Sequence, residues 1–186
     1  MDGTLTFAVH DFVEIKKELG LPLELDILAG IKTLDENLQK EKHIHLQEIE
    51  KRLALKAKPN EFVEEVLETL LSKNKKIAVL TRNNSTNTEL TLNSSGLIKY
   101  FENELIITRE TCPPKPDPDG VHLLLDKWKA KKSETVLFGD YIYDLDAAKN
   151  SGITRGYFDP TKKFIYKDSS DIQISSFKEI LDFISQ

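Results

Sequence analysis

Three features that the sequence lacks narrow the classes of protein it can encode. A single cysteine, Cys112, excludes an internal disulfide and fits the reducing conditions of the cytoplasm. No apolar run approaches the roughly 20 residues of a membrane-spanning helix, and the amino terminus has no signal-peptide pattern. The net charge of −5 leaves no basic excess for nucleic acid phosphates. We therefore expect a cytoplasmic protein with neither a nucleic acid nor a membrane as its partner.

The composition that remains is that of an ordinary globular protein. Hydrophobic residues make up 39% of the 186 residues and charged residues 31%, as is typical of soluble domains. A chain of this length can form one domain with a full hydrophobic core and a small insertion.

From residue 59 onward, amphipathic segments alternate with short apolar runs. The runs predict strands at 77–80, 105–108, 136–139 and 155–158, and the first and third of these are predicted to be buried. Helices are predicted from Pro59, at about 85–95, up to Trp128, after Asp144, and from a capping box at Ser176. This alternation is typical of a parallel sheet covered by helices.

Residues 7 to 58 have a different pattern, which is helical and rich in charge. A short amphipathic helix is predicted up to Leu19, ended by Gly20, and a longer helical run is predicted over about 34–57. The long run is locally basic, which favours a solvated helix face over a phosphate-attracting lid. His10 and Asp11 stand at the entrance to this segment.

Polar side chains follow the predicted strands. Asp140 comes directly after the strand at 136–139, and ligands of open α/β sheets bind at the carboxyl ends of strands. Asp140 and Asp144, four residues apart, can hold a hard cation such as Mg²⁺, which prefers oxygen ligands. In the alternative reading, Asp140 caps the next helix and Asp144 pairs with a lysine. Lys115 lies among three prolines that fix the backbone around it.

Taken together, the polar residues are the types that phosphoryl transfer through an aspartyl-phosphate needs. Their order is Asp2-Gly3-Thr4, Thr81, Lys115 in Lys-Pro-Asp-Pro, and Gly139-Asp140 with Asp144. Over nearly the whole chain this order resembles the phosphatase branch of the haloacid dehalogenase-like (HAD) superfamily. The resemblance implies an α/β fold, a Rossmann-like three-layer parallel sheet, with a small helical cap inserted after the first motif. Residues 1–6 and 58–186 would form the core, and residues 7–57 the cap.

The resemblance also implies a role for each residue. Asp2 would be the general acid/base, and its backbone carbonyl would bind Mg²⁺. Thr81 would bind the phosphoryl group with help from the backbone at Arg82 and Asn83, and Lys115 would pair with the nucleophile and the phosphate.

For the metal, the resemblance implies that Asp140 binds Mg²⁺ directly and that Asp144 is a further ligand or supports one. The implied activity is that of a Mg²⁺-dependent phosphatase of a small phosphorylated metabolite, which the cap selects.

One position departs from the family pattern. The nucleophilic aspartate of the family lies two residues before the general acid, and only Met1 precedes Asp2 here. The apolar central strand of the family is missing with it, and each buried aliphatic side chain of such a strand contributes about 1.5–3 kcal/mol. Four or five of them amount to much of a net domain stability of about 5–15 kcal/mol. We therefore expect this chain to fold poorly or to pair its sheet in some other way.

Three explanations fit this departure. The first is a natural protein that begins upstream of Met1, the second a degenerate protein that binds a ligand without hydrolysing it, and the third a deliberately shortened chain. Two further functions share parts of the pattern. A phosphomutase would also use Asp2, and a receiver-type signalling domain would share the carboxylates and the lysine. The receiver domain has no room for the helical insertion.

Overall fold

The computed structural model describes residues 1–8 and 11–186 of the chain. Eight α-helices lie in this part: α1 Phe12–Leu19, α2 Ile27–Lys32, α3 Glu36–Ala54, α4 Val63–Ser72, α5 Ser85–Ser94, α6 Asp119–Trp128, α7 Ile142–Ser151 and α8 Phe177–Ile184. The strands are β1 Val79–Leu80, β2 Ile106–Ile107, β3 Val136–Gly139, β4 Thr154–Phe158 and β5 Ile172–Ile174. No helix among the described residues is both long and apolar enough to cross a membrane.

The strands form two parallel ladders. One contains β1 and β2, and the other has the order β3-β4-β5. All pairs are parallel, so the carboxyl ends of the strands within each ladder point the same way. The α/β class predicted from the sequence is therefore confirmed, with the sheet divided between β1 and β3.

Helices cover both faces of the strands. Val79 and Leu80, neighbours on β1, belong to two different hydrophobic clusters, because successive side chains of a strand point to opposite faces. The first cluster includes residues of α4, α5 and α8, and the second includes residues of α6 and α7. The result is the three-layer arrangement of helix, sheet and helix.

The first three helices pack on one another, and α3 also packs against α5. They share a separate cluster whose buried members are Ile15, Leu19, Leu21, Ile31, Leu46 and Ile49. Aspartate side chains cap each helix: Asp11, Asp26 and Asp35 accept backbone N–H bonds in the first turns. The sequence pattern predicted α1 and α3 but not α2, and α3 is shorter than the predicted 34–57. His10 lies outside the described residues.

Two expectations from the sequence are wrong. Pro59 does not begin a helix; it pairs with Thr6 in an antiparallel bridge, and α4 starts only at Val63. The backbone N–H of Asn60 donates to Leu5 O at 2.9 Å. Tertiary pairing therefore overrides the local preference of proline for a helix start. β3 is not fully buried either, since Val136 is 43% exposed. Val136 is the first residue of β3, and burial increases along the strand to Gly139.

Candidate active site

Loop 1–6 lies at the carboxyl edge of both ladders and holds Asp2 there. Its turn is closed by Met1 O, which accepts hydrogen bonds from Thr4 N and Thr6 N at 3.2 and 3.1 Å. The buried side chain of Asn60 then fixes the loop from outside, since its Nδ2 donates to Thr4 O at 2.6 Å and to Thr6 O at 3.1 Å. Hydrogen bonds to the backbone carbonyls of the loop, from within the loop and from Asn60, therefore hold it in place.

Lys115 connects the two ladders at this edge. Its side chain is 6% exposed, and its Nζ donates to Leu80 O at 2.7 Å and to Asp144 Oδ1. The Lys115–Pro116 peptide bond is cis. Gly139 makes room for this pair, because a Cβ at that position would lie 2.1 Å from Asp144 Cγ. The lysine thus ends directly beside the residue that precedes Thr81.

Asp144 is held in its charged form. Burial raises the pKa of its carboxyl, but the Lys115 cation, the nearby N-terminal amine and the hydrogen bonds outweigh burial and leave the pKa below its usual value. Its second oxygen, Oδ2, accepts the Tyr141 N–H at 3.2 Å. The alternative reading of the sequence, in which Asp144 pairs with a lysine, is therefore also realised, and the partner is Lys115 itself.

Asp140 follows β3 and faces loop 1–6. Its Oδ1 accepts the Thr4 hydroxyl at 2.6 Å, and its Oδ2 would lie 2.3 Å from a Cβ on Gly3. Burial raises the pKa of the Asp140 carboxyl, although the N-terminal charge and the Thr4 hydroxyl act in the opposite direction. A buried carboxylate with a raised pKa gains from any cation that binds next to it.

Asp2 and Thr81 meet through Asn83. The Asn83 side chain donates to Asp2 Oδ2 at 2.7 Å, and the Asn83 N–H donates to Thr81 Oγ1 at 3.1 Å. Asp2 Oδ1 is buried and has no hydrogen-bond partner among the described residues. Since a buried oxygen without a partner is costly, this atom indicates a site where a cation, water or substrate proton belongs.

The predicted site residues therefore lie together at one edge. Direct hydrogen bonds join Asp2 to Asn83, Asn83 to Thr81, Lys115 to Asp144, and Thr4 to Asp140. Arg82 is exposed, and its guanidinium carbon lies 4.4 Å from the centre of the Tyr143 ring. The roles assigned to these residues remain predictions.

The donor types fit a hard divalent cation only in part. Asp140 supplies a carboxylate oxygen of the kind that Mg²⁺ prefers, and the backbone carbonyl of Asp2 would be a second oxygen ligand. Both oxygens of Asp144 are already bonded, which favours a supporting role over direct ligation. Among the described residues, no group of three or more His, Cys, Asp or Glu side chains is arranged to hold a metal. Any ion here would also need backbone, water or substrate oxygens.

Sequence reasoning missed three contributors. The Thr4 hydroxyl binds Asp140, Asn60 fixes loop 1–6, and Tyr143 supports Arg82. Thr4 stands inside the Asp-Gly-Thr motif, so its position was a usable signal. Asn60 carried none, because its partners lie more than fifty residues earlier in the chain.

The fold and this edge together define an α/β protein with an acidic, lysine-containing site at the carboxyl ends of its parallel strands. The chain belongs to the haloacid dehalogenase-like hydrolases, the family that residues 11–157 match. By family it is thus a hydrolase of the HAD type, as the resemblance implied.

Individual proteins agree with this assignment. A phosphorylated carbohydrates phosphatase of Thermotoga maritima is 31% identical over 138 residues, covering 74% of this chain and 62% of that protein. An uncharacterized hydrolase of Saccharomyces cerevisiae is 24% identical over 191 residues, covering 99% of this chain and 88% of that protein. The crystal structure of a family IA HAD hydrolase from Entamoeba histolytica superposes with a TM-score of 0.80 at 17% identity, covering 100% and 97% of the two chains. The last comparison concerns the fold alone.

Proposed function

We propose that this chain supplies the fold and the binding residues of a cytoplasmic, Mg²⁺-dependent phosphatase of a small phosphorylated metabolite. The phosphatase is active when an aspartate stands two residues before Asp2. The observation that carries the proposal is the meeting of Lys115, the Thr81 loop and Asp140 at one edge. The similarity to a named phosphatase supports the same reaction class.

The chain's own residues divide the work of binding and proton transfer. Lys115 and Thr81 hold the phosphoryl oxygens, with backbone N–H groups at Arg82 and Asn83. The upstream carboxylate attacks phosphorus, the bond from phosphorus to the ester oxygen breaks, and Asp2 gives that oxygen a proton. Water then attacks the aspartyl-phosphate while Asp2 takes its proton, releasing inorganic phosphate. A bound Mg²⁺, held by Asp140 and Asp2, would neutralise developing negative charge.

The Met1 amine lies among the charged residues of the proposed site. Met1 is 9% exposed and packs in the first hydrophobic cluster. Burial lowers the pKa of its amino group, and so does the Lys115 cation, while Asp144 and Asp140 raise it. A residue joined to this amine therefore extends from a buried position among the site's charges.

The test is an extended chain. Five aliphatic residues and an aspartate are added directly before Met1, and the matched control carries asparagine in place of that aspartate. With Mg²⁺ present, we expect only the aspartate form to release inorganic phosphate from p-nitrophenyl phosphate. Equal release by both forms, or none by the aspartate form when it is folded and binds phosphate, contradicts the proposal.

A second candidate function is a phosphate-ester binding module without catalysis. It would use the same phosphoryl subsite, in which the Thr81 loop and Lys115 lie at one edge. Calorimetry that detects binding of a phosphate ester by the natural protein, with no phosphate released over hours, would support this function. Measurable phosphate release would exclude it.

A further inference from the structure

The position of the Arg82 side chain is not explained by the role of its backbone in the phosphate loop. The backbone N–H of this residue belongs to the proposed phosphoryl subsite, but its guanidinium lies over the Tyr143 ring at 4.4 Å. Tyr143 stands between Asp140 and Asp144, in the first turn of α7. The arginine therefore reaches across the mouth of the site, from the end of β1 to the start of α7.

The charge of Arg82 is not matched by the protein. Within the described ranges 1–8 and 11–186, no carboxylate forms an ion pair with its guanidinium, and the side chain is exposed. By contrast, the charge of Lys115 is largely balanced by Asp144. Hydrogen bonds from Ser85 lower the pKa of Glu110, and the charge of Arg109, beside the same loop, has a smaller effect in the same direction. In the part of the chain that the structure describes, the contact recorded for the Arg82 guanidinium is the one with the Tyr143 ring.

Stacking on a ring has a physical consequence for an arginine. A cation over an aromatic face is held in place without losing its charge, and the edge of the guanidinium keeps donors for a carboxylate or a phosphate in bidentate geometry. The guanidinium lies against Tyr143, which stands between Asp140 and Asp144, while the Arg82 backbone follows Thr81. A cation held at this edge of the site fits a second anionic group on the same ligand.

We propose that the Arg82 side chain selects substrates that carry a second anionic group, a carboxylate or another phosphate, beside the phosphoryl group that reacts. Tyr143 is the positioning residue for Arg82. This inference rests on the proposed function, because it assumes that Thr81 and Lys115 bind the first phosphoryl group.

Three non-hydrolysable probes separate the two subsites by calorimetry on the full chain at saturating Mg²⁺. Methylphosphonate has one phosphoryl group, phosphonoacetate adds a carboxylate, and methylenediphosphonate adds a second phosphoryl group. We expect the two doubly headed anions to bind at least about tenfold more tightly than methylphosphonate, as charge-assisted hydrogen bonds imply. A preference for one of the two supports the proposal and shows whether the second group is a carboxylate or a phosphate.

The variants test which side chain is responsible. Arg82→Gln should remove most of the preference of the doubly headed anions over methylphosphonate, and Arg82→Lys should keep only part of it, because lysine lacks the planar fork. Tyr143→Leu should weaken the preference and Tyr143→Phe should retain it, because phenylalanine keeps the ring face. Arg109→Gln is the matched control and should leave the preference unchanged.

The outcomes distinguish a failure of the proposal for Arg82 from a failure of the proposed function. A preference that survives Arg82→Gln, or an equal loss of all three probes in that variant, overturns the inference alone, because methylphosphonate binding by the unaltered chain still supports a phosphoryl subsite. No binding of any probe by the folded chain overturns both.

Discussion

Lys115 and Asp144 form an ion pair that is almost fully withdrawn from water, with side chains 6% and 9% exposed. Removing two charges from water is costly, and their attraction repays that cost only when the geometry is good and the remaining donors are used. Here Leu80 O and Tyr141 N–H complete the bonding. The pair is therefore a poor source of net stability, but its integrity is important, because either charge alone would be buried without compensation.

Lys115→Met is expected to lower the free energy of unfolding by about 3–5 kcal/mol, because it leaves the Asp144 carboxylate buried without its cation. Urea unfolding monitored by circular dichroism measures the loss. In the double variant Lys115→Met, Asp144→Leu, a large part of the stability should return. A single variant as stable as the unaltered chain would show that the pair is open to solvent.

Asn60 illustrates what sequence reasoning could not predict at the residue scale. The sequence predicted Thr81, Lys115 and Asp140 because they lie at the ends of predicted strands or within recognisable motifs. Asn60 acts through Thr4 O and Thr6 O, and no local pattern identifies a residue whose partners are distant backbone carbonyls. Only the folded structure shows that it fixes the loop bearing Asp2.

Asn60→Ala is expected to destabilise the chain by about 1–3 kcal/mol, because two backbone carbonyls lose a buried donor. It should also weaken methylphosphonate binding, since loop 1–6 loses its support. Asn150→Ala is the matched control: Asn150 donates to Pro116 O from an exposed position, so its loss should cost less than about 0.5 kcal/mol. Equal effects of the two substitutions would contradict the role given to Asn60.

At the scale of elements, β5 shows why short strands escape prediction. It is three residues long, Ile172–Ile174, and only Ile174 is buried, so its sequence has little apolar pattern. Its position is set by the preceding residue: Asp171 accepts hydrogen bonds from Arg155 Nε, Nη2 and backbone N at 2.9, 2.5 and 2.9 Å. A bidentate ion pair thus attaches the start of β5 to β4.

The direction of the Asp171 pKa shift determines how this attachment depends on pH. The Arg155 guanidinium and N–H lower the pKa of Asp171 to about 2, so the stabilisation is present above its ordinary pKa near 4 and is lost as the pH falls toward 2. We expect the unaltered chain to exceed Asp171→Asn in stability at pH 6 by less than about 1 kcal/mol, because the Asp171 side chain is partly exposed.

The stability difference should narrow between pH 4 and pH 2.5 in urea titrations. Asp168→Asn serves as the control, since Asp168 is exposed and makes no ion pair in the described part of the chain. A difference between the unaltered chain and Asp171→Asn that is constant over this pH range would mean that the ion pair does not hold β5.

At the scale of the whole molecule, the sequence pattern predicted a parallel α/β fold but not the division of its sheet into two ladders. Apolar runs after amphipathic helices identified a parallel α/β arrangement, and the family assignment agrees. The division between β1 and β3 depends on which strands can pair, a long-range property that periodicity does not contain. The same holds for the exposure of Val136, the first residue of β3.

The helices α1 to α3 raise a further question at this scale, namely whether they can be separated from the rest. Their buried side chains form their own cluster, and the two chain segments that connect them to the strands lie side by side. Thr6 pairs with Pro59, and Phe7 N donates to Lys58 O at 3.0 Å. A direct polar contact to the rest is the bond from Asn87 Nδ2 to Glu50 Oε2 at 2.6 Å.

Replacing residues 8–57 by Asn-Gly should therefore leave the remainder folded, because a two-residue turn can join the paired positions Phe7 and Lys58. The single tryptophan, Trp128, lies at the end of α6 and reports on the remaining core alone. We expect its fluorescence to be unchanged and its urea transition to remain cooperative at a lower midpoint, with methylphosphonate still bound. Joining Phe7 directly to Lys58 is the control, since without a turn the bridge cannot close. If the Asn-Gly chain unfolds as the control does, residues 7–57 are an integral part of the core and not a separate cap.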